Sequence, residues 1–191
     1  MILTLVRHSK TSPTGKIPIP LWGLSEQGIV SVKDFANKQI VKEIEVIYSS
    51  LQTKALETAL YLAKPNAIPI KIHPGLTEIS SFTREFFGSG KYEQNVDDFY
   101  SEKIKRIANG ETYQRALARF KRAIGEIIKV EEKNNRQNIG FISHGNILAF
   151  FSAQFCDQTP RQLHDLIRMP DLAVLNWDNK KFIKFWGEKN D

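Results

Sequence analysis

Short apolar runs alternate with longer amphipathic stretches along this chain, and the alternation outlines a fold before any chemistry is considered. Residues 2–6 are apolar and β-rich, which suits a buried strand. Residues 12–20 hold three prolines and Gly15, so they read as irregular chain. Ser25 can cap a helix whose Ile29, Val32, Ala36 and Ile40 fall on one face. Residues 44–48 read as a second buried strand, running through a Tyr-Ser-Ser step into a helix over 52–63. Pro65 and Pro69 bracket a turn before a third strand at 70–72. The pattern weakens over 78–110, where a helix is expected around 96–107. A long helix follows over 113–131, with Tyr113, Leu117, Phe120, Ile124 and Ile127 at helical spacing. Residues 138–142 form a fourth strand, leading through Ser-His-Gly-Asn into a helix over 147–155. Strands at 172–177 and 182–186 flank a hairpin turn, Asp-Asn-Lys-Lys.

Strands alternating with helices predict an α/β fold: a mostly parallel central sheet with helices on both faces and a small helical lid or insertion. At 191 residues the chain suits one domain, 1–191, with 78–110 as the lid segment. Ligands of such sheets bind beyond the carboxyl ends of the strands. Polar clusters stand at those places. Arg7 and His8 follow the first strand, residues 49–54 the second, Glu78 the third by a few positions, and His144 the fourth.

Composition narrows the classes. Apolar residues make up 41% and charged residues 25%, as in ordinary globular proteins. The single cysteine, Cys156, excludes an internal disulfide and a zinc ribbon and favours a reducing, cytoplasmic setting. The apolar run at the N-terminus is too short for a signal peptide. The most apolar later stretch, 139–155, contains Ser143, His144, Asn146 and Gln154, which argues against a membrane span. The net charge of +6 suits an anionic ligand or simply a solvated basic surface. It is spread along the chain with no nucleic-acid-binding module, so nucleic acid is disfavoured as a partner.

The rim residues fit phosphoryl transfer, which needs charge complementarity, a nucleophile and a proton donor. Arg7 offers a planar fork of donors to phosphate oxygens. His8 is a nucleophile as the neutral imidazole. His144, if protonated, donates to a phosphate oxygen beside a helix N-terminus, and Lys54 reaches the same anion from another helix. Glu78 is the candidate acid, because a bound phosphate disfavours its charged form. Taken singly, His8 and His144 read as partly buried histidines, Arg7 as a structural ion pair, and Lys54 and Glu78 as solvated surface groups. His73 and His164 lack a constellation, and Trp22, Trp177 and Trp186 read as packing.

These residues carry a resemblance. The segment LVRHSKT resembles the LVRHGET signature of the histidine phosphatase superfamily, the phosphoglycerate mutase-like family. In order along the chain, LSEQG, YSSLQTKALETA, GLTE, NGETYQRALARF, FISHGNIL and MPDLAVLNWD resemble its further motifs. The resemblance implies a phosphohistidine on His8. Arg7, Lys54 and His144 would bind the phosphoryl oxygens, and Glu78 would act as general acid and then base, with no metal or cofactor. The chain departs from the pattern at Ser9, where glycine is usual and a hydroxyl could add a donor. Lys10 makes the loop more basic, and Thr14 stands where asparagine is common as a phosphate contact. Lys54 replaces an arginine and loses its bidentate fork.

The expected function is a phosphomonoester phosphatase acting on a small phosphorylated metabolite. Phe82, Arg84, Phe86, Phe87 and Lys91 in the lid are candidates for substrate specificity. Two alternatives are a mutase-type phosphotransferase and a low-activity phosphate-ligand sensor. The sequence leaves homo-oligomerisation open.

Overall fold

A computed structural model describes residues 1–14, 16–79, 89–101, 103–106 and 111–188. Its elements run β1 (Ile2–Arg7), α1 (Glu26–Ala36), α2 (Gln39–Lys42), β2 (Val46–Ser49), α3 (Thr53–Ala63), β3 (Ile70–Ile72), α4 (Ser89–Tyr100), α5 (Tyr113–Lys133), β4 (Asn138–Ser143), α6 (Gly145–Ser152), α7 (Pro160–Leu166), β5 (Asp171–Asn176) and β6 (Lys181–Lys184). The strands form one six-stranded sheet in the order β3-β2-β4-β1-β5-β6. The β3-β2, β2-β4 and β4-β1 pairs are parallel, and β5 and β6 join antiparallel. The fold is the mostly parallel α/β arrangement expected from the sequence.

Strand alternation sorts the core into two layers. Leu3 and Leu5 of β1, Tyr48 of β2, and Ile139 and Phe141 of β4 pack with Phe120, Ile124 and Ile127 of α5 and with α6. Val6, Ile47 and Ile142 face the other way, onto Val32 and Phe35 of α1 and Ala55, Ala59 and Leu62 of α3. With both faces covered, β1 and β4 have no polar alternation to display, which is why they read as continuous apolar runs.

Three elements differ from the expectations. The helix capped by Ser25 stops at Ala36, because Asn37 closes it and Lys38 is extended before α2 begins. The helix expected around 96–107 lies earlier, as α4. Helix α7 was not expected from sequence. Its start carries a capping box, in which Thr159 accepts from the Gln162 backbone while the Gln162 side chain accepts from the Thr159 backbone. Among the described residues, no helix is long and apolar enough to cross a membrane.

One buried charge ties the distal half of the sheet to α5. Glu131 is wholly buried and accepts from the Tyr48 hydroxyl at 2.5 Å and Lys71 Nζ at 2.6 Å. Its other oxygen accepts from Arg136 at 2.7 Å and Asn134 at 3.1 Å. Burial alone would raise this carboxyl. The donors from Lys71, Tyr48, Arg136 and Asn134 outweigh burial and pull it from 4.5 down to about 2. A depressed folded value stabilises the fold above the unfolded value, and the gain is lost as pH falls toward 2. Lys71 and Arg136 reach solvent, which screens the pairs, so Glu131→Gln should cost about 1–2 kcal/mol at pH 7. Urea unfolding at several pH values should show this difference shrinking below about pH 5.

Candidate active site

Parallel register brings the reactive residues to one edge. Arg7 pairs with Ser143, the last residue of β4, and Ser49 pairs with Ile142. Backbone bonds carry the alignment one step past the strands: His8 N donates to Ser143 O, Ser50 N to Ile142 O, and His73 N to Ser49 O, at 2.9 to 3.0 Å. Residues from four sequence regions are thereby fixed relative to one another by main-chain geometry.

His8 is 7% exposed. Its Nδ1 lies 2.8 Å from the Ser9 carbonyl oxygen. A carbonyl can only accept, so Nδ1 carries the proton and Nε2 keeps its lone pair. Burial, then the charges of Lys54 and Arg7, lower the ring from 6.5 to about 3, against the opposing bond to Ser9. The neutral, nucleophile-competent imidazole is therefore the resident form at ordinary pH.

Basic groups surround it. Arg7 donates to the Ile167 carbonyl at 2.7 Å, and its guanidinium lies against Gly145. A Cβ at Gly145 would sit 2.8 Å from Arg7 Cζ, so this position must stay glycine for the arginine to fit. Lys54 is 5% exposed and donates to the Ile19 carbonyl at 3.0 Å. Burial lowers its ammonium to about 8, with the charge of Glu78 opposing. The His144 ring centroid is 5.1 Å from that of His8. Burial, then the charges of His8, Lys54, Arg7 and Arg119, hold His144 well below the ordinary histidine value. These causes favour the neutral ring, so the donor role read from the sequence requires that His144 take up a proton. Its Nε2 lies 2.8 Å from Ser50 Oγ, while Nδ1 is buried with no hydrogen-bond partner among the described residues.

Glu78 faces this cluster from the loop after β3. Its Oε1 accepts from Ile79 N and Ile147 N, each at 2.9 Å. Its Oε2 accepts from Asn146 N and Asn146 Nδ2, each at 3.1 Å. The carboxylate thus sits on the first turn of α6, where the helix leaves backbone N–H groups unpaired. Arg119 of α5 clamps the loop by donating to the carbonyls of Gly75, Thr77 and Glu78, and it pairs with Glu111.

The structure brings Arg7, His8, Lys54, Glu78 and His144 together. It does not offer the Ser9 hydroxyl as an anion donor: that hydroxyl donates to the Gly28 carbonyl at 2.7 Å, locking the loop to α1. Gly28 is required there because a Cβ would lie 2.1 Å from Lys10 O. The Thr14 hydroxyl accepts from Lys16 N at 3.2 Å, a contact within its own loop. Phe82, Arg84, Phe86 and Phe87 lie outside the described residues, as does the Lys91 side chain. Sequence reasoning missed Ser50, Asn146 and Arg119. All three lie inside the quoted motifs, but nothing in their spacing reveals contacts with His144 or Glu78. His73, set aside from sequence, caps the turn after β3 and pairs with Glu126 at 3.3 Å. His164, also set aside, lies within electrostatic reach of Arg7 and Glu78 and packs on Tyr100.

Comparison with known proteins identifies the family and the fold. The family model of the histidine phosphatase superfamily, branch 1, matches residues 3–188. A comparison with curated protein sequences yields no match. Among solved structures, a mycobacterial glucosyl-3-phosphoglycerate phosphatase aligns with a TM-score of 0.76 at 15% identity, covering 100% of this chain and 99% of that one. The alpha-ribazole phosphatase of Shigella flexneri gives 0.68 at 18% identity, covering 100% and 96%. The Bacillus stearothermophilus protein YhfR gives 0.77 at 20% identity, covering 98% and 97%. At these identities the likeness is one of fold.

A lysine with a lowered value loses its charge as pH rises. The affinity for inorganic phosphate should therefore fall between pH 8 and 10 as Lys54 deprotonates. One charge-assisted hydrogen bond is worth about 1.5–3 kcal/mol, roughly a tenfold to hundredfold loss. Lys54→Arg should keep the affinity level over that range, and calorimetric titration with phosphate distinguishes the two profiles.

Proposed function

The chain belongs to the histidine phosphatase superfamily, and from that premise we propose that it hydrolyses phosphomonoesters of small metabolites through a phosphohistidine on His8. The observation that carries this reading is the pinned His8 ring, with Nδ1 held by the Ser9 carbonyl and Nε2 left as the lone pair. In the first half-reaction Nε2 attacks phosphorus and the bond to the ester oxygen breaks. Glu78 gives its proton to the leaving oxygen. In the second, water attacks the phosphohistidine, Glu78 takes the water's proton, and orthophosphate leaves with His8 restored. Arg7 and Lys54 supply the positive charge that the phosphoryl group needs. His144 gains a proton when a dianion enters, because the anion's charge opposes the burial and the cationic field that keep it neutral.

The cationic pocket and the carboxyl facing it support this assignment. The lone cysteine suits a cytoplasmic setting. We assign substrate choice to the segment around 78–110, with Phe82, Arg84, Phe87 and Lys91 as the residues to test. Glucosyl-3-phosphoglycerate and alpha-ribazole phosphate, suggested by the structural neighbours, belong in a first panel of phosphometabolites.

Wild-type protein incubated with a labelled substrate should yield a phosphoenzyme that is acid-labile and base-stable. His8→Ala should abolish the label and lower turnover by at least about 10³-fold. Equal, near-background rates in the two proteins would leave a phosphate-binding protein in place of an enzyme. Efficient interconversion of 2- and 3-phosphoglycerate with little free phosphate would make it a mutase.

A further inference from the structure

Glu78 accepts more hydrogen bonds than a group that must also carry a proton can keep. A carboxylate offers about four lone-pair sites, and Ile79 N, Ile147 N, Asn146 N and Asn146 Nδ2 fill them. Three of these donors are backbone groups fixed by the chain and by α6. The fourth, the Asn146 carboxamide, can turn about a side-chain torsion. Its other end is also engaged, since Asn146 Oδ1 accepts from the Tyr100 hydroxyl at 3.0 Å. Tyr100 ends α4 and is held flat on Phe150, with ring centroids 5.3 Å apart and planes 8° apart. The Arg161 guanidinium covers Tyr100 at 5.7 Å and pairs with Asp97 at 2.6 Å. Asn146 itself is 3% exposed, so both of these bonds lie in the interior.

An amide presents donors on one side and an acceptor on the other, and a phenol hydroxyl does both. We propose that Asn146 is a positioning residue that serves both protonation states of Glu78, with Tyr100 completing either arrangement. When Glu78 is ionised, Nδ2 donates to Oε2 and Tyr100 donates to Oδ1, as in the structure. When Glu78 is protonated, the carboxamide turns over. Oδ1 then accepts from the carboxyl proton, and Nδ2 donates to the Tyr100 oxygen. Neither state leaves a buried polar atom unpaired, which would cost about 1–3 kcal/mol. Among the described residues, Lys54 from α3, the titratable His164 from α7, with Arg7 beside it, and Arg119 from α5 also lie within reach of Glu78. Lys54 and Arg119 place their hydrogen bonds on main-chain carbonyls and on Glu111. The chain Glu78–Asn146–Tyr100 therefore couples the acid/base group to α4, at the border of the segment assigned to substrate choice.

This inference rests on the reading of Glu78 as acid and base. Its test compares an ester whose leaving group needs a proton, glycerol 2-phosphate, with one that does not, 2,4-dinitrophenyl phosphate. Asn146→Ala should lower kcat/KM, which reports the steps through release of the leaving alcohol or phenol, about tenfold more for the first than for the second. Tyr100→Phe should act in the same direction by roughly threefold and add nothing on the Asn146→Ala background. Equal losses for both esters, or additive effects, would overturn the proposal. A wild-type protein with no His8-dependent turnover would remove the catalytic reading instead. The hydrogen-bond chain is then read in the side-chain amide resonance of Asn146. That resonance should move in Glu78→Gln and in Tyr100→Phe, and indifference to both sinks the inference.

Discussion

Arg7, His8, Lys54 and His144 share one small, largely buried volume, and the mutual repulsion of so many basic groups shapes everything placed around them. Burial lowers His8, Lys54 and His144 alike, and neighbouring positive charge lowers the two histidines further. The protein accommodates the cluster by keeping both imidazoles neutral and by giving Arg7 and Lys54 main-chain carbonyls to hold. Such a site is electrostatically incomplete until an anion enters it. Burial first, and then the same positive charge that suits the site to an anion, keep the His8 lone pair free.

That cluster exists only because four chain segments end in register. The alignment of Arg7 with Ser143 and of Ser49 with Ile142 is a backbone property, set by parallel pairing and extended by the bonds from His8, Ser50 and His73. Helix α6 then has two roles at its first turn. Gly145 makes room for the Arg7 guanidinium, and the next two N–H groups hold the Glu78 carboxylate. The only carboxylate that these contacts bring to the basic cluster among the described residues is fixed by a helix end and by Arg119 behind its loop. Lys54 lies within its electrostatic reach from α3 and places its own hydrogen bond on the Ile19 carbonyl.

The fold was legible wherever burial on two faces made the signal strong. Strands β1 and β4 read as unbroken apolar runs because helices cover both sides of the sheet. The 3.6-residue spacing of α5 was equally plain, since one long face of it packs on the sheet. The signal failed where local chemistry outweighed periodicity. Ile40 continued the pattern of α1, yet Asn37 and Lys38 end that helix first. Helix α7 buries Leu163 alone, too little for a stripe to show, although its Thr-Pro-x-Gln start was a readable capping signal.

By itself the sequence determined which residue types end the strands, and with them the candidate nucleophile, the flanking cations and the candidate acid. Those identities are local, since a strand followed by Arg-His or by Ser-His-Gly places its polar residues at the sheet edge wherever the sheet lies. Only the tertiary structure decided what each group does there. The Ser9 hydroxyl turned inward to Gly28, His144 became neutral beside Ser50, and Asn146 joined Glu78 to Tyr100. Hydrogen-bond direction and charge state depend on neighbours far away in the chain, Ser50 and His144 being 94 positions apart. No local pattern encodes such distances. They follow from strand register and helix packing, which exist only once the whole chain has folded.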